Sequence, residues 1–182
     1  MLDTVELKFH SICEIVGNED VGIIVLFDKT ESQQIAIVCD KLVVQELQMR
    51  VMKKKECNTM LPETLVNLMK QRIEMHYELV INDVIDGTYR AMLIDTDTYQ
   101  PLSMRAADAV LLHQIAGIPL YATRQLMKRQ AIPVLPGTPS MALPYNALND
   151  DMLREALTAC VHMEKYETAS VIRDELKKRG VL

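Results

Sequence analysis

Hydrophobic and polar residues alternate in the first part of the chain with the two-residue period of a β-strand. Residues 5–10 place apolar side chains on one face and polar side chains on the other. Residues 21–27 and 34–38 are rich in β-branched residues, and the polar residues 28–32 lie between them. The pattern predicts three strands that form an antiparallel meander.

A helical period follows, in which apolar residues recur every three or four positions. Asp40 is suited to cap a helix over residues 41–54, because its side chain can accept a hydrogen bond from the first turn. The expected buried face of this helix consists of Leu42, Val43, Leu47, Val51 and Met52. Pro62 is typical of the first turn of a second helix. On that helix we expect three apolar side chains to face the interior: Leu65, Leu68 and Met69.

A second set of strands is predicted at residues 75–84, at residues 88–95 and around Leu102. The dipeptide Asp86-Gly87 separates the first two of these strands. This pair of residues is typical of the tight turn of a β-hairpin, because both turn positions require a positive φ. We therefore expect Asp86 and Gly87 to form a turn.

Helices return after the second set of strands. One is predicted over residues 105–116 and ends at Gly117. A short strand at residues 120–121 follows, and Thr123 is suited to cap a helix that ends near residue 129. Strands followed by helices, twice over, indicate an α+β domain whose mixed or antiparallel sheet is flanked by helices.

Residues 131–149 differ from the rest of the chain in their content of proline: Pro133, Pro136, Pro139 and Pro144. We predict a linker without regular elements here, between a domain at residues 1–130 and a C-terminal helical hairpin at residues 150–182, joined near Lys165. Apolar residues at helical spacing form one stripe on each helix of the hairpin: Leu153, Ala156, Leu157 and Cys160, then Ala169, Ile172 and Leu176.

Composition favours the cytoplasm. The 182 residues, of which 49% are hydrophobic, suffice for one domain with a core and a small appendage. The first residues are acidic and do not resemble a signal peptide, and the apolar runs are too short to cross a membrane. The four cysteines are dispersed along the chain, which is typical of a reducing compartment. We therefore expect a cytoplasmic protein without a membrane segment.

The formal charge of −5 does not favour binding to a polyanion, which normally requires clustered Lys and Arg. Two groups of basic residues are candidates for such a cluster: Lys53, Lys54 and Lys55, and Arg124, Lys128 and Arg129. Each group also lies near the end of a predicted helix, where basic side chains are favoured without any ligand.

The turn Asp86-Gly87-Thr88-Tyr89 is followed by Met104-Arg105-Ala106-Ala107-Asp108-Ala109. In this order and spacing, the two segments resemble the bifunctional nuclease domain family, in which a D-G-T-[FY] strand leads to an R-P-S-D-A helix. The resemblance extends from about residue 5 to residue 129. It implies cleavage of phosphodiester bonds in both RNA and DNA.

The chain departs from the family pattern at two places. Ala106 and Ala107 stand where the family has Pro and Ser, and the segment after Pro62 lacks the His and Asp of the family's T-H-D-L run. The groups that remain at the helix start are Arg105 and Asp108, which are our candidate catalytic residues. Arg105 could hold a phosphate, and Asp108 could bind a metal or orient water; alternatively, the pair stabilises the start of the helix.

Two carboxylates are candidate ligands of a divalent metal, Mg²⁺ or Mn²⁺. Asp95 and Asp97 have the i, i+2 spacing that places side chains on one side of a strand. The alternative is that they cap a strand end and its turn, because Asp is common in turns. His76 could act as an acid or base with Asp108, although the four histidines show no metal-ligand spacing.

The C-terminal segment resembles the UVR motif, a short helical hairpin found in nucleotide-excision-repair subunits and chaperone adaptors. The residues that carry the resemblance are Tyr166, Glu167, Ala169, Ile172, Arg173 and Leu176. The resemblance implies docking of a protein partner through these residues, or homo-oligomerisation. Two functions therefore remain open: a nuclease with a docking hairpin, and a non-catalytic adaptor that acts through the hairpin.

Overall fold

The structure, a computed structural model, describes residues 3–15, 18–71, 74, 76–134 and 145–182. Within these ranges the strands are β1 (Thr4–Ile15), β2 (Asn18–Asp28), β3 (Gln33–Asp40), β4 (Tyr77–Ile85), β5 (Thr88–Asp95), β6 (Pro101–Arg105), β7 (Leu120–Thr123) and β8 (Ile132–Pro133). The α-helices are α1 (Lys41–Val51), α2 (Leu61–Lys70), α3 (Ala106–Ala116), α4 (Arg124–Gln130), α5 (Asp150–His162) and α6 (Tyr166–Lys178).

The strands form one mixed sheet in the order β6-β5-β4-β7-β1-β2-β3-β8. The strand β7 lies between two antiparallel groups. It pairs with β1 in the antiparallel direction and with β4 in the parallel direction. The predicted α+β class, with a mixed sheet flanked by helices and followed by two C-terminal helices, is confirmed.

Helix α1 begins as predicted, but its buried face differs from the expected one. The side chain of Asp40 caps the helix by accepting a hydrogen bond from the backbone N–H of Val43 at 3.0 Å. The buried side chains are Val43, Val44 and Leu47. The expected burial of Leu42, Val51 and Met52 is wrong, because they lie off this narrow stripe and are exposed.

The prediction for the inner face of α2 is also wrong. Leu65, Leu68 and Met69 are exposed, and the buried residue of this helix is Val66. Helix α2 lies at the periphery, where it packs against α3 and a short 3₁₀ helix at Lys55–Thr59. Because few elements cover a peripheral helix, α2 buries fewer of its apolar side chains than its sequence predicts.

The turn between β4 and β5 is confirmed. Asp86 and Gly87 have φ values of 48° and 75°, as a two-residue hairpin turn with two positive φ values requires. The predicted end of α3 is confirmed as well, because Gly117 adopts the left-handed conformation after Ala116. Met75, the predicted first residue of β4, lies outside the described residues.

The predicted linker carries regular structure at both of its ends. Strand β8 pairs with β3, and Tyr145–Ala147 forms a 3₁₀ helix. Ala147 is fully buried in the main core. The expectation that residues 131–149 lack regular elements is therefore wrong at these two places, while residues 135–144 lie outside the described ranges.

Helices α5 and α6 pack against each other, as the two apolar stripes predicted. Their shared core is centred on Leu153, Ile172 and Leu176, each of which is fully buried. No helix in the described part of the chain is both long and apolar enough to cross a membrane.

Candidate functional site

Arg105 forms ion pairs with two carboxylates at the start of α3. Its Nε and Nη2 donate to the two oxygens of Asp108 at 2.7 and 2.9 Å, in a bidentate arrangement. Its Nη1 donates to Oδ2 of Asp40 at 3.2 Å. The hydrogen bond and charge of Asp108, with a smaller contribution from Asp40, raise the pKa of Arg105 above its ordinary value. The two candidate catalytic residues therefore lie in contact, together with Asp40.

Two junctions between a strand and a helix bring these three residues together. Arg105 ends β6 and precedes the first residue of α3, and Asp108 lies in the first turn of that helix. Asp40 occupies the same position at the end of β3 and caps α1. The start of α3 packs closely, since Ala106 and Ala107 are both buried. The side chains at these two helix starts can meet because α1 and α3 are in contact.

Arg105 and Asp40 line a cleft of about 280 Å³. The turn after β4 and the segment before α5 contribute to its wall through Gly87 and Asn149, and Asp20 on β2 contributes a further carboxylate. The charged side chains of this small cleft are two carboxylates, Asp20 and Asp40, and one guanidinium, that of Arg105, and we call it the acidic cleft.

Two further residues of the cleft wall are buried and unreactive. Tyr89 donates a hydrogen bond from its hydroxyl to Oε1 of Gln130 at 3.3 Å, and burial raises its pKa. Burial also raises the pKa of the Cys39 thiol to about 12. A thiol with this pKa is protonated at neutral pH, so Cys39 is not a nucleophile here.

The segment that carries Asn149 is held in place by Arg179, whose side chain is only 3% exposed. Its Nη1 donates to the carbonyl oxygen of Leu148 at 2.7 Å, and its Nη2 donates to the carbonyl oxygen of Asn146 at 3.2 Å. The same guanidinium pairs with Asp150 and Glu175. The residue that caps the C-terminus of α6 thereby fixes one wall of the cleft.

The structure places Asp95 and Asp97 away from this cleft, at the other end of β5. Asp95 Oδ1 accepts hydrogen bonds from the backbone N–H groups of Thr98 at 2.9 Å and Asp97 at 2.8 Å, and these bonds lower its pKa. Asp97 lies in the turn after the strand rather than on it. Asp95 therefore caps the turn, whereas the carboxylate of Asp97 contacts His76, and the two carboxylates do not share one strand face.

His76 contacts Asp97 and not Asp108. Its Nδ1 lies 2.9 Å from Oδ2 of Asp97, and its Nε2 lies 3.4 Å from Oε2 of Glu74. The hydrogen bond to Asp97 raises the pKa of His76. The expectation that His76 works with Asp108 is wrong, because His76 lies beside the Asp95 end of β5, whereas Asp108 follows Arg105 at the opposite end of these strands.

No group of three or more His, Cys, Asp or Glu residues in the described ranges is arranged to hold a metal ion. Around Arg105, both oxygens of Asp108 accept from its guanidinium, and the two oxygens of Asp40 accept from Val43 and Arg105. These carboxylates are already satisfied by protein donors. The donor set does not fit a metal site that is preformed by the protein alone.

The basic residues singled out in the sequence do not form one patch of unpaired charges. Arg124 pairs with Asp3, and Arg129 pairs with Asp83. Three lysines after α1 are exposed: Lys53, Lys54 and Lys55. Their charge is therefore available to solvent, while that of the two arginines is partly compensated.

The residues of the proposed docking surface divide into two sets. Ala169, Ile172 and Leu176 are buried against α5, so they offer a partner no surface in this conformation. Three further residues of the set are exposed on α6: Tyr166, Glu167 and Arg173.

Asp40, Asp20 and Asn149 are site residues that the sequence did not reveal. Asp40 was recognisable as a cap, and its position at a strand-to-helix junction matches that of Arg105. Asp20 and Asn149 carry no comparable signal, because pairing of strands and packing of the C-terminal segment bring them to the cleft.

A family model described as the bifunctional nuclease domain matches residues 24–135. The match covers more than half of the chain and includes Asp40, Arg105 and Asp108. It ends before α5 and α6. No curated protein matches the chain.

Proposed function

The chain belongs to the bifunctional nuclease domain family, and we propose on that premise that it hydrolyses phosphodiester bonds in RNA or DNA. The observation that carries the proposal is the contact of Arg105 with Asp108 and Asp40 at an open cleft. An arginine beside carboxylates supplies a group that binds a phosphate and a group that accepts a proton.

Arg105 has the role of binding the phosphate. Its guanidinium is 55% exposed and can present two parallel N–H donors to two phosphate oxygens. A phosphate at this position competes with the carboxylates for the same donors. Asp108, once released from one of its two hydrogen bonds, can orient a water molecule and accept its proton.

A requirement for Mg²⁺ or Mn²⁺ is part of the proposal, but no step is assigned to the metal. Magnesium is commonly held by one or two carboxylates together with the phosphates of the substrate, so a site can be completed when substrate arrives. Asp20 and Asp40 are the carboxylates of the cleft wall, and Asp40 would first have to release Val43 or Arg105, which donate to its two oxygens. The earlier candidates Asp95 and Asp97 remain a separate hypothesis.

The test is an assay of the full chain with end-labelled single-stranded RNA and DNA, in Mg²⁺, in Mn²⁺ and in EDTA. We expect Asp108→Asn to lower the rate by about 100-fold or more, as for loss of a general base. Asp174→Asn is the matched control, because this exposed carboxylate also lies beside an arginine, Arg173, on α6. Asp97→Asn tests the separate metal hypothesis.

Absence of cleavage in both metals would refute the nuclease proposal, and so would equal rates for Asp108→Asn and the unmodified protein. A loss of activity in Asp97→Asn would indicate that the metal site lies at the far end of β5, near Asp95 and Asp97. Equal activity in EDTA and in Mg²⁺ would refute the metal requirement alone.

The second candidate function is a non-catalytic adaptor. Three groups of the Arg105 guanidinium, Nε, Nη1 and Nη2, already donate hydrogen bonds to carboxylates. A phosphate would have to displace these carboxylates, and this favours the adaptor. We propose that the C-terminal helices, which resemble a UVR motif, dock a protein partner or a second copy of the chain. Light scattering of the purified protein tests docking of a second copy. Comparison of the partners captured by the Tyr166→Ala variant and by the unmodified chain tests docking of a protein partner.

A further inference from the structure

A second cavity, of about 490 Å³, lies at the outer end of the sheet across β4, β5 and β6. Its polar wall includes Asp83, Arg90, Ser103 and Arg105. Arg105 lines this cavity as well as the smaller acidic cleft. The two cavities therefore meet at the residue that we propose to bind phosphate.

Arg90 and Arg105 lie directly opposite each other on β5 and β6. Directly opposed residues of an antiparallel pair project from the same face of the sheet, and two like charges there repel each other. Arg105 is compensated by Asp108 and Asp40. Within the described part of the chain, Arg90 is exposed and forms no ion pair, so its charge is uncompensated.

The other charged groups of this cavity do not cancel the charge of Arg90. Asp83 is opposite Arg90 on β4, but it pairs with Arg129 on α4 at 2.9 Å. In the row Asp83, Arg90 and Arg105 across three strands, the outer two residues have partners of opposite charge, whereas Arg90 has none among the described residues.

The cavity also has an apolar surface beside its arginines. Ile85, Met92 and Met104 line it, and Ile85 is half exposed at the end of β4. A ligand that fits this surface combines negative charge with apolar groups. Nucleotides have this composition, because phosphates alternate with bases along the chain.

We propose that this cavity, here called the arginine groove and defined by Arg90, Ser103 and Arg105, binds the backbone of single-stranded nucleic acid. Arg90 contacts a phosphate next to the one at Arg105, and bases lie against Ile85 and Met92. A single strand exposes its bases, whereas a duplex hides them in its stack. This proposal rests on the proposed function, because the arginine groove would guide the nucleic-acid substrate to the site at Arg105.

The experiment measures binding and not cleavage. Fluorescence anisotropy follows labelled oligouridylate and oligothymidylate of about 12 nucleotides, a length within the range of single-strand binding sites, in EDTA. Arg90→Ala is compared with Arg173→Ala, which removes an exposed arginine from α6. We expect Arg90→Ala to weaken binding several-fold and to reduce the slope of log affinity against log salt by about 0.7, the value for one phosphate contact on a single strand. Arg90→Glu should weaken binding further.

Equal affinities and salt slopes for Arg90→Ala and the unmodified protein would overturn the proposal, as would absence of oligonucleotide binding by the unmodified protein. Equal losses in Arg90→Ala and Arg173→Ala would also overturn it, because the effect would then be one of net charge. Tighter binding of a duplex of the same length would overturn the assignment to single strands. A chain that binds through Arg90 and cleaves nothing would refute the proposed nuclease function alone.

Discussion

Gly87 and Leu148 lie so close together that a β-carbon added to Gly87 would be 2.7 Å from the carbonyl carbon of Leu148. The hairpin turn between β4 and β5 therefore packs directly on the segment that leads to α5. Gly87 also has a φ of 75°. Two independent requirements, backbone conformation and space, thus select glycine at this position.

Gly87→Ala should destabilise the protein more than Gly117→Ala. Both glycines have nearly the same positive φ, but a β-carbon on Gly117 would meet nothing within 4 Å. The left-handed conformation alone costs an alanine about 1 kcal/mol, and the collision with Leu148 raises the cost at Gly87 to about 3 kcal/mol. Chemical denaturation of the two variants measures the difference. Equal losses of stability in the two variants would show that the turn does not pack against the segment before α5.

Arg179→Met should loosen the wall of the acidic cleft. The substitution removes hydrogen bonds to two carbonyl groups and pairs with two carboxylates, which we expect to cost about 3 kcal/mol. Hydrogen exchange of the backbone at residues 145–150 should become faster, and Cys39 should become more accessible to a thiol reagent. Arg173→Met, at an exposed arginine of the same helix, should change neither quantity. Unchanged exchange in Arg179→Met would contradict this role of Arg179.

Ile172→Asp should unfold the two C-terminal helices rather than remove a docking contact alone. Ile172 is fully buried, and a carboxylate there would have no partner in an apolar core. We expect loss of helical signal in far-ultraviolet circular dichroism. Tyr166→Ala removes a side chain that is 66% exposed and should leave this signal intact. A fully helical Ile172→Asp variant would contradict the packing of α5 against α6.

The pKa of His76 should fall towards its ordinary value in Asp97→Asn. The hydrogen bond to Asp97 raises the pKa of His76 in the folded chain, so the pair stabilises the fold fully at pH values below the ordinary pKa. That contribution is lost as the pH rises through the raised value. Titration of His76 by NMR, with and without salt, measures the shift, which salt should reduce. An unchanged pKa in Asp97→Asn would mean that the contact does not exist in solution.

Much of the fold could be predicted from the sequence because local signals and tertiary structure agree there. The Asp86-Gly87 turn, the Asp40 and Thr123 caps and the end of α3 at Gly117 each follow from the chemistry of one or two residues. The buried face of α2 could not be predicted in this way. Its apolar residues exceed what the neighbouring elements cover, and periodicity does not show which side of a helix packs.

The candidate site was only partly predictable. Arg105 and Asp108 are three residues apart on one helix start, so their contact follows from helical geometry. Asp40 lies 65 positions before Arg105 in the sequence, and only the sheet and the packing of α1 on α3 bring them together. The sequence left two alternatives for Asp95 and Asp97, and the structure fits the one at a strand end and its turn, because β5 ends at Asp95.

The position of β7 has a consequence for how the molecule folds. Strands β4, β5 and β6 follow one another in the sequence, and so do β1, β2 and β3. Pairing within each group therefore requires closure of short loops only. The two groups of strands join only when the four residues of β7 pair with β1, which lies more than a hundred residues earlier in the sequence. Loop-closure entropy makes this the slow step, with both half-sheets exposing an open edge until it is complete. Refolding at high concentration therefore carries a risk of pairing between chains at that edge.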